Sequence, residues 1–247
     1  MRRVILKEEQ VWRGPLILVN AAHALRPGRS LRLAPVDERY PDVRIDRQAA
    51  RLLADCIRQV HGDGAIIPVS GWRSQAEQQQ IWDESLAAHG EHFTHSYVAL
   101  PGCSEHQTGL AIDLGQAAGK IDFIRPAFPD YGVCGAFRRR AADYGFICRY
   151  ERDKQTLTGI AAEPWHFRYV GLPHARLMTE RNLCLEEYID LLRRQELSCL
   201  LPGGWMAQVF FVPCRGAETE AELPDGCCQV SGNNVDGFVI TAWGVLA

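Results

Sequence analysis

The chain has 247 residues, 47% of them hydrophobic and 23% charged, with a formal net charge of −3. That is enough length for a full core plus a small appendage, in the proportions of a soluble globular protein. Neither the charge nor any basic stripe offers a footprint for nucleic acid, and no segment approaches the ~18–20 apolar residues of a membrane span.

Met1–Trp12 is mixed in charge and lacks the apolar core of a signal peptide. The nine cysteines are scattered, odd in number and never spaced C-x-x-C. They read as reduced thiols, so the expected compartment is cytoplasmic.

Along the chain, Leu16–Asn20 is a short apolar run that predicts a buried strand. Asp46–His61 predicts a helix capped by Asp46, with Leu52, Leu53, Cys56, Ile57 and Val60 on one face and Gly62 as its stop. Ala65–Val69 is a strand leading into Ser70-Gly71-Trp72-Arg73. Ser74 and Glu77 have capping-box spacing and open a second helix, with Gly90 as its stop. A polar, loop-like stretch with His89, His92 and His95 follows, then the Pro101-Gly102 turn.

Gly109–Leu114 predicts a strand with Asp113 near its end, and Cys134–Tyr144 a helix closed by Gly145. Phe167–Val170 predicts another strand, and Pro173–Leu197 one or two helices. With few βαβ units in evidence, the fold class expected is α+β with a small antiparallel sheet flanked by helices. Beyond residue 197 the composition turns β-rich, in Met206–Val212 and Phe238–Trp243, between Gly/Asn/Asp turns. The expected division is therefore 1–197 and a short β appendage, 198–247.

Three segments carry candidate chemistry: Ser70-Gly71-Trp72-Arg73 with Gln78, Ser104 to Asp113 (SEHQTGLAID), and Glu163-Pro164-Trp165-His166. A catalytic zinc needs three protein ligands and an open position. His106 and Asp113, seven residues apart, offer two if the chain passes from a turn into a strand, and His166 offers a third. Glu163, three residues before His166, is placed to accept a proton. Spacing alone reaches only a possible metal site, because each of these residues, taken singly, reads first as a cap or a satisfied core group.

The segments SGWRSQAEQQ, YVALPGCSEHQTGLAIDL and EPWHFRYVG, in this order, resemble the VanY/VanXY-type D,D-peptidases, zinc D-Ala-D-Ala carboxypeptidases and dipeptidases of glycopeptide resistance. The resemblance spans roughly residues 10–195. It implies a Hedgehog/D,D-peptidase-like catalytic domain over 1–197 holding one Zn2+ per chain on His106, Asp113 and His166. It also implies Glu163 as catalytic base, Arg73 as the substrate-polarising arginine and Gln78 as a site glutamine. The implied partner is a small peptide ending in D-Ala-D-Ala, with no nucleic acid and no membrane.

The chain is more similar to the cytoplasmic bifunctional VanXY type than to the membrane-attached VanY type, and SGNNVDGFVITAW resembles an extension of longer VanXY members. Cys103 departs from the usual small or polar residue of the relatives. Ser104 is a candidate to bind the substrate's terminal carboxylate, and Trp165 to wall the D-Ala pocket. The loops around 85–100 and 115–135 are expected to decide how much peptide fits beyond the dipeptide.

His89, His92 and His95 are set aside as a second metal site, and His23, His61 and His174 have no partner pattern. Two other readings stand beside the peptidase: an L,D-cleaving peptidoglycan endopeptidase, and a zinc-stabilised peptide-binding module without turnover.

Overall fold

The protein is described by a computed structural model covering residues 1–28 and 30–245. Its chain divides into two compact units, Val19–Cys184 and a second one made of Met1–Leu18 with the chain from Leu185 onward. Strand β1 is Arg2–Lys7.

Within Val19–Cys184 come β2 (Leu33–Pro35), β3 (Arg44–Asp46), α1 (Arg47–Gln59), β4 (Ile66–Ser70) and α2 (Gln75–Tyr97). There follow β5 (Ala111–Gln116), α3 (Gly132–Arg140), β6 (Phe146–Tyr150), the single turn α4 (Gln155–Thr158), β7 (Glu163–Tyr169) and α5 (His174–Glu180). Four of these strands form an antiparallel sheet in the order β4-β5-β7-β6, and β2 pairs with β3. The α+β expectation holds.

Alternation divides the sheet's two faces. Ile112 and Leu114 of β5, with Trp165, Phe167 and Tyr169 of β7, turn into a core shared with Leu53, Cys56 and Ile57 of α1. The opposite face carries Asp113, His166 and Arg168. Asp46 caps α1 by accepting from the Gln48 and Ala49 amides at 2.9 and 3.3 Å. The chain leaves α1 through His61, which takes a left-handed φ of 55°, before Gly62.

Both capping-box bonds of α2 form, Ser74 N to Glu77 Oε2 at 2.7 Å and Glu77 N to Ser74 Oγ at 3.2 Å. Gly90 does not end this helix, as its sequence suggested. The chain breaks there at φ 78° and resumes helical form to Tyr97. The expected loop with His89, His92 and His95 is thus largely helical; His95 stands edge-on to Trp82, with centroids 5.0 Å apart.

The second unit holds β1, α6 (Leu185–Leu192), β8 (Leu197–Leu201), β9 (Trp205–Pro213), β10 (Glu218–Leu223), β11 (Cys227–Gly232) and β12 (Gly237–Val245). Strands β11-β12-β9-β8 form one antiparallel sheet, and β1 pairs with β10 from Arg2↔Leu223 to Lys7↔Glu218. Leu6, Val11, Leu223, Phe238 and Ile240 make its core.

The unit boundaries therefore differ from the 197/198 division expected from composition. The β1–β10 ladder draws the N-terminal segment into the β-rich unit, and α6 joins it too. Leu16, Ile17, Leu18 and Val19 are buried as expected, but the run forms no strand. Its backbone is satisfied elsewhere: Leu16 N donates to Ser231 Oγ, Leu18 N to Asn233 O, and Leu18 O accepts from Asn234 Nδ2. Among the described residues, no helix is long and apolar enough to cross a membrane.

Candidate metal centre and active site

Three neighbouring strands place the centre. In the ladder, Ser70 of β4 and His166 of β7 both lie opposite Asp113 of β5. Residues opposite one another on one face bring their side chains together. A one-residue bulge between Pro68 and Ser70 sets the first pairing. A second irregularity, between Cys148 and Tyr150, brings Tyr150 opposite Glu163, so Glu163 also reaches the His166 side.

His106 arrives from the short turn Glu105–Thr108, which ends at Gly109 in the left-handed conformation. Its Nδ1 donates to the Gly71 carbonyl at 2.7 Å, leaving Nε2 to face Asp113 Oδ2 at 3.2 Å. His166 Nδ1 lies 3.1 Å from Asp113 Oδ1 and 3.6 Å from Glu163 Oε2. The donor atoms of His106, Asp113 and His166 all lie within 4.8 Å of one another, and all three residues are buried.

This donor set fits a divalent metal. Two imidazole nitrogens and one carboxylate are a familiar zinc set, and Asp113 Oδ1 is a buried oxygen without a hydrogen-bond partner. Gly71 makes the approach possible: a Cβ there would stand 2.3 Å from the Arg44 carbonyl oxygen.

Arg73 lies alongside. Its Nη2 donates to Asp113 Oδ2 at 3.1 Å, and its Nε and Nη2 to Ser70 Oγ at 3.0 and 2.8 Å. Nη1 reaches Gln78 Oε1 at 3.4 Å, while Gln78 Nε2 donates to the Ala99 carbonyl at 2.8 Å. The amide of Gln78 is thus engaged in holding Arg73 and the segment at Ala99. Ser104 and Trp165 are buried and line the same cavity, and Trp165 also packs in the core. Tyr97, Val98 and Ala99, and Phe123 and Ile124, also line it, from the two stretches expected to limit the peptide.

Charge states follow from burial and neighbours. Burial pushes Glu163 up to about 8; His166 and Arg73 work against the rise, and the Asp113 and Glu105 carboxylates support it. A buried carboxyl with raised proton affinity is suited to taking and returning a proton near neutrality. Burial would raise Asp113, but His106 and His166 together hold it well below the carboxylate range.

Motif reading did not find Glu105. Its side chain is wholly inaccessible, and its Oε1 accepts from Arg149 Nε at 2.9 Å and Arg168 Nη1 at 2.8 Å. The signal in the sequence is slight: Arg168 follows His166 by two residues, so in a strand both point to one side, and a guanidinium beside a ligand calls for a partner.

A small antiparallel sheet carrying two histidines and an aspartate, with a buried carboxyl and a guanidinium beside them, defines a candidate metallohydrolase. Comparison with known proteins agrees. The VanY family, D-alanyl-D-alanine carboxypeptidase, matches residues 42–172, and the chain belongs to that family. It is 42% identical over 181 residues to the bifunctional D-Ala-D-Ala dipeptidase and D-Ala-D-Ala carboxypeptidase VanXYC of Enterococcus gallinarum, covering 72% of this chain and 94% of that protein.

Among solved structures, the vancomycin resistance D,D-dipeptidase VanXYg, in complex with a D-Ala-D-Ala phosphinate analog, superposes with a TM-score of 0.95. The identity is 44%, over 98% of this chain and 99% of that one. A mutant of the D,D-pentapeptidase VanY from a VanB-type resistance cassette, in complex with Zn(II), matches at 32% identity with a TM-score of 0.58, covering 72% of this chain and 99% of that one.

Proposed function

We propose that this chain is a zinc D,D-peptidase that hydrolyses the D-Ala-D-Ala bond of the free dipeptide, of peptidoglycan precursors, or of both, in glycopeptide resistance. The observation that carries the reading is the convergence of His106, Asp113 and His166 donor atoms within 4.8 Å beside Glu163 and Arg73. His106 Nε2, Asp113 and His166 Nδ1 would hold one Zn2+ per chain. When bound, zinc supplies Lewis acidity, which acidifies water and polarises a carbonyl.

The remaining work falls to this chain's own groups. Glu163 takes the proton of the attacking water and returns it to the amine of the departing D-Ala. Arg73, fixed by Ser70, Asp113 and Gln78, directs its guanidinium at the oxyanion that develops on the penultimate D-Ala carbonyl. Ser104 is proposed to meet the substrate's terminal carboxylate and Trp165 to wall the D-Ala side chain, both from the cavity's buried lining. Gln78 acts on the substrate through Arg73 and through the segment it ties at Ala99. Likeness to the VanXY type supports a cytoplasmic enzyme acting on precursors before export.

The deciding measurement is D-Ala release from D-Ala-D-Ala and from a pentapeptide ending in D-Ala-D-Ala, by zinc-loaded wild type beside Glu163→Gln. Release by wild type alone supports the reading, and the two rates give the balance of activities. A zinc-loaded wild type that releases nothing from either substrate overturns it, leaving L,D cleavage or peptide binding without turnover.

A further inference from the structure

Glu105 lies between the candidate centre and a pair of buried arginines, and its two oxygens have different surroundings. Oε1 accepts from both Arg149 and Arg168. Oε2 has no hydrogen-bond partner, and neither has His166 Nε2, which it faces at 3.5 Å. A carboxylate serving only as an ion-pair partner for arginine tends to engage both oxygens in a fork. Here two guanidinium groups crowd onto one oxygen and the other is left toward the histidine.

Burying three charges is unfavourable unless each is well partnered. Glu105, Arg149 and Arg168 are all inaccessible to solvent. One arginine would suffice to neutralise the carboxylate. The second donates to the same oxygen, which leaves Oε2 turned toward His166.

The histidine's other faces are fixed too. The Tyr150 ring packs on His166 with centroids 4.8 Å apart, the His106 ring meets it edge-on at 4.9 Å, and the Arg149 guanidinium lies 5.0 Å from the Tyr150 ring centroid.

We propose that Glu105, clamped by Arg149 and Arg168, is a positioning residue: its second oxygen accepts a hydrogen bond from the protonated Nε2 of His166, so fixing the ring with Nδ1 toward the metal and strengthening it as a ligand. The proposal rests on the metal-site reading above. It follows from the general behaviour of metal-bound imidazoles, whose second nitrogen donates to a carboxylate or carbonyl that sets tautomer, orientation and basicity. For His106 the Gly71 carbonyl plays that part, and for His166 the group in place is Glu105.

The test compares zinc affinity, by chelator competition, and the visible spectrum of the Co(II)-substituted protein for wild type and Glu105→Gln. The variant is expected to bind zinc ~10–100-fold more weakly and to show an altered Co(II) spectrum. A folded variant with wild-type affinity and spectrum overturns the proposal.

Should two arginines around a neutral glutamine prevent folding, the double variant Glu105→Gln/Arg149→Met restores the +1 net charge of the original trio, and the same weakened affinity is expected. Wild-type affinity there would equally overturn it. NMR of the zinc-loaded wild type gives an independent reading: a downfield, slowly exchanging His166 Nε2 proton is expected, and an unprotonated Nε2 sinks the proposal. If wild type binds no zinc at all, the metal-site reading itself falls.

Discussion

Asp113 and His166 face each other across the β5–β7 ladder, and the Asp113 carboxylate divides its oxygens between the two histidines: Oδ1 lies 3.1 Å from His166 Nδ1 and Oδ2 3.2 Å from His106 Nε2. The same Oδ2 accepts from Arg73. One carboxylate therefore organises both proposed ligands and the guanidinium. Asp113→Asn, similar in shape but uncharged, should lose most bound zinc and leave Arg73 buried beside a neutral group. The removal of one partner from a buried charge pair typically costs ~3–5 kcal/mol. Metal analysis and a denaturant melt check both; a variant with full zinc would exclude Asp113 as a ligand.

Arg73 reaches Ser70, Asp113 and Gln78 with three different nitrogens. Lysine keeps the charge but cannot hold that fork. Arg73→Lys should therefore lower kcat by ~10²–10³-fold, the effect of losing one oxyanion donor, with zinc content unchanged. Near-normal kcat would remove Arg73 from transition-state stabilisation.

Glu163 stands 3.6 Å from His166 Nδ1 without being one of the three grouped donors. Glu163→Gln should keep its zinc and lose turnover. Zinc-loaded variant enzyme that still releases D-Ala at close to the wild-type rate would take the base role away from Glu163.

The candidate site was legible because its residues sit in three short segments whose spacing is local: a capping box after Arg73, a turn between His106 and Asp113, and Glu163 three residues before His166. What brings the segments together is non-local. The pairing of Asp113 with His166 spans more than fifty residues, and the bulges that aim Ser70 and Glu163 depend on partner strands. Glu105 escaped notice for the same reason, since its arginines lie 44 and 63 residues away.

Strand β1 could not be assigned to the β-rich unit from composition, because its partner β10 stands at the other end of the chain. Gly90 misled through a true local property. Its positive φ is real, but the residues beyond it return to a helix.

Gly71 joins fold and site. A Cβ there would meet the Arg44 carbonyl oxygen at 2.3 Å and the Arg44 nitrogen at 2.9 Å, both backbone atoms of β3. Gly71→Ala must displace β3 or shift the Gly71 carbonyl from His106 Nδ1. The expected loss is ~1–3 kcal/mol of stability, as for other overpacked sites, together with weaker zinc binding. A thermal melt and a zinc titration check the pair of effects; unchanged values in both would show that the strands yield freely there.

His174, at the start of α5, provides a pH-dependent term away from the metal centre. Burial pushes it down from 6.5 to about 3, so it stays neutral in the folded protein. As pH falls below 6.5 the unfolded chain takes up a proton that the folded chain refuses. Stability from this group is thus complete above 6.5 and declines as pH drops toward 3. The useful window is pH 6 to 5, above the ordinary range of Asp and Glu. There wild type should lose about 1 kcal/mol more than His174→Gln, since a full pH unit of differential protonation is worth ~1.4 kcal/mol. Urea melts of both proteins at the two pH values measure the difference. Parallel losses would mean that His174 accepts its proton in the folded state.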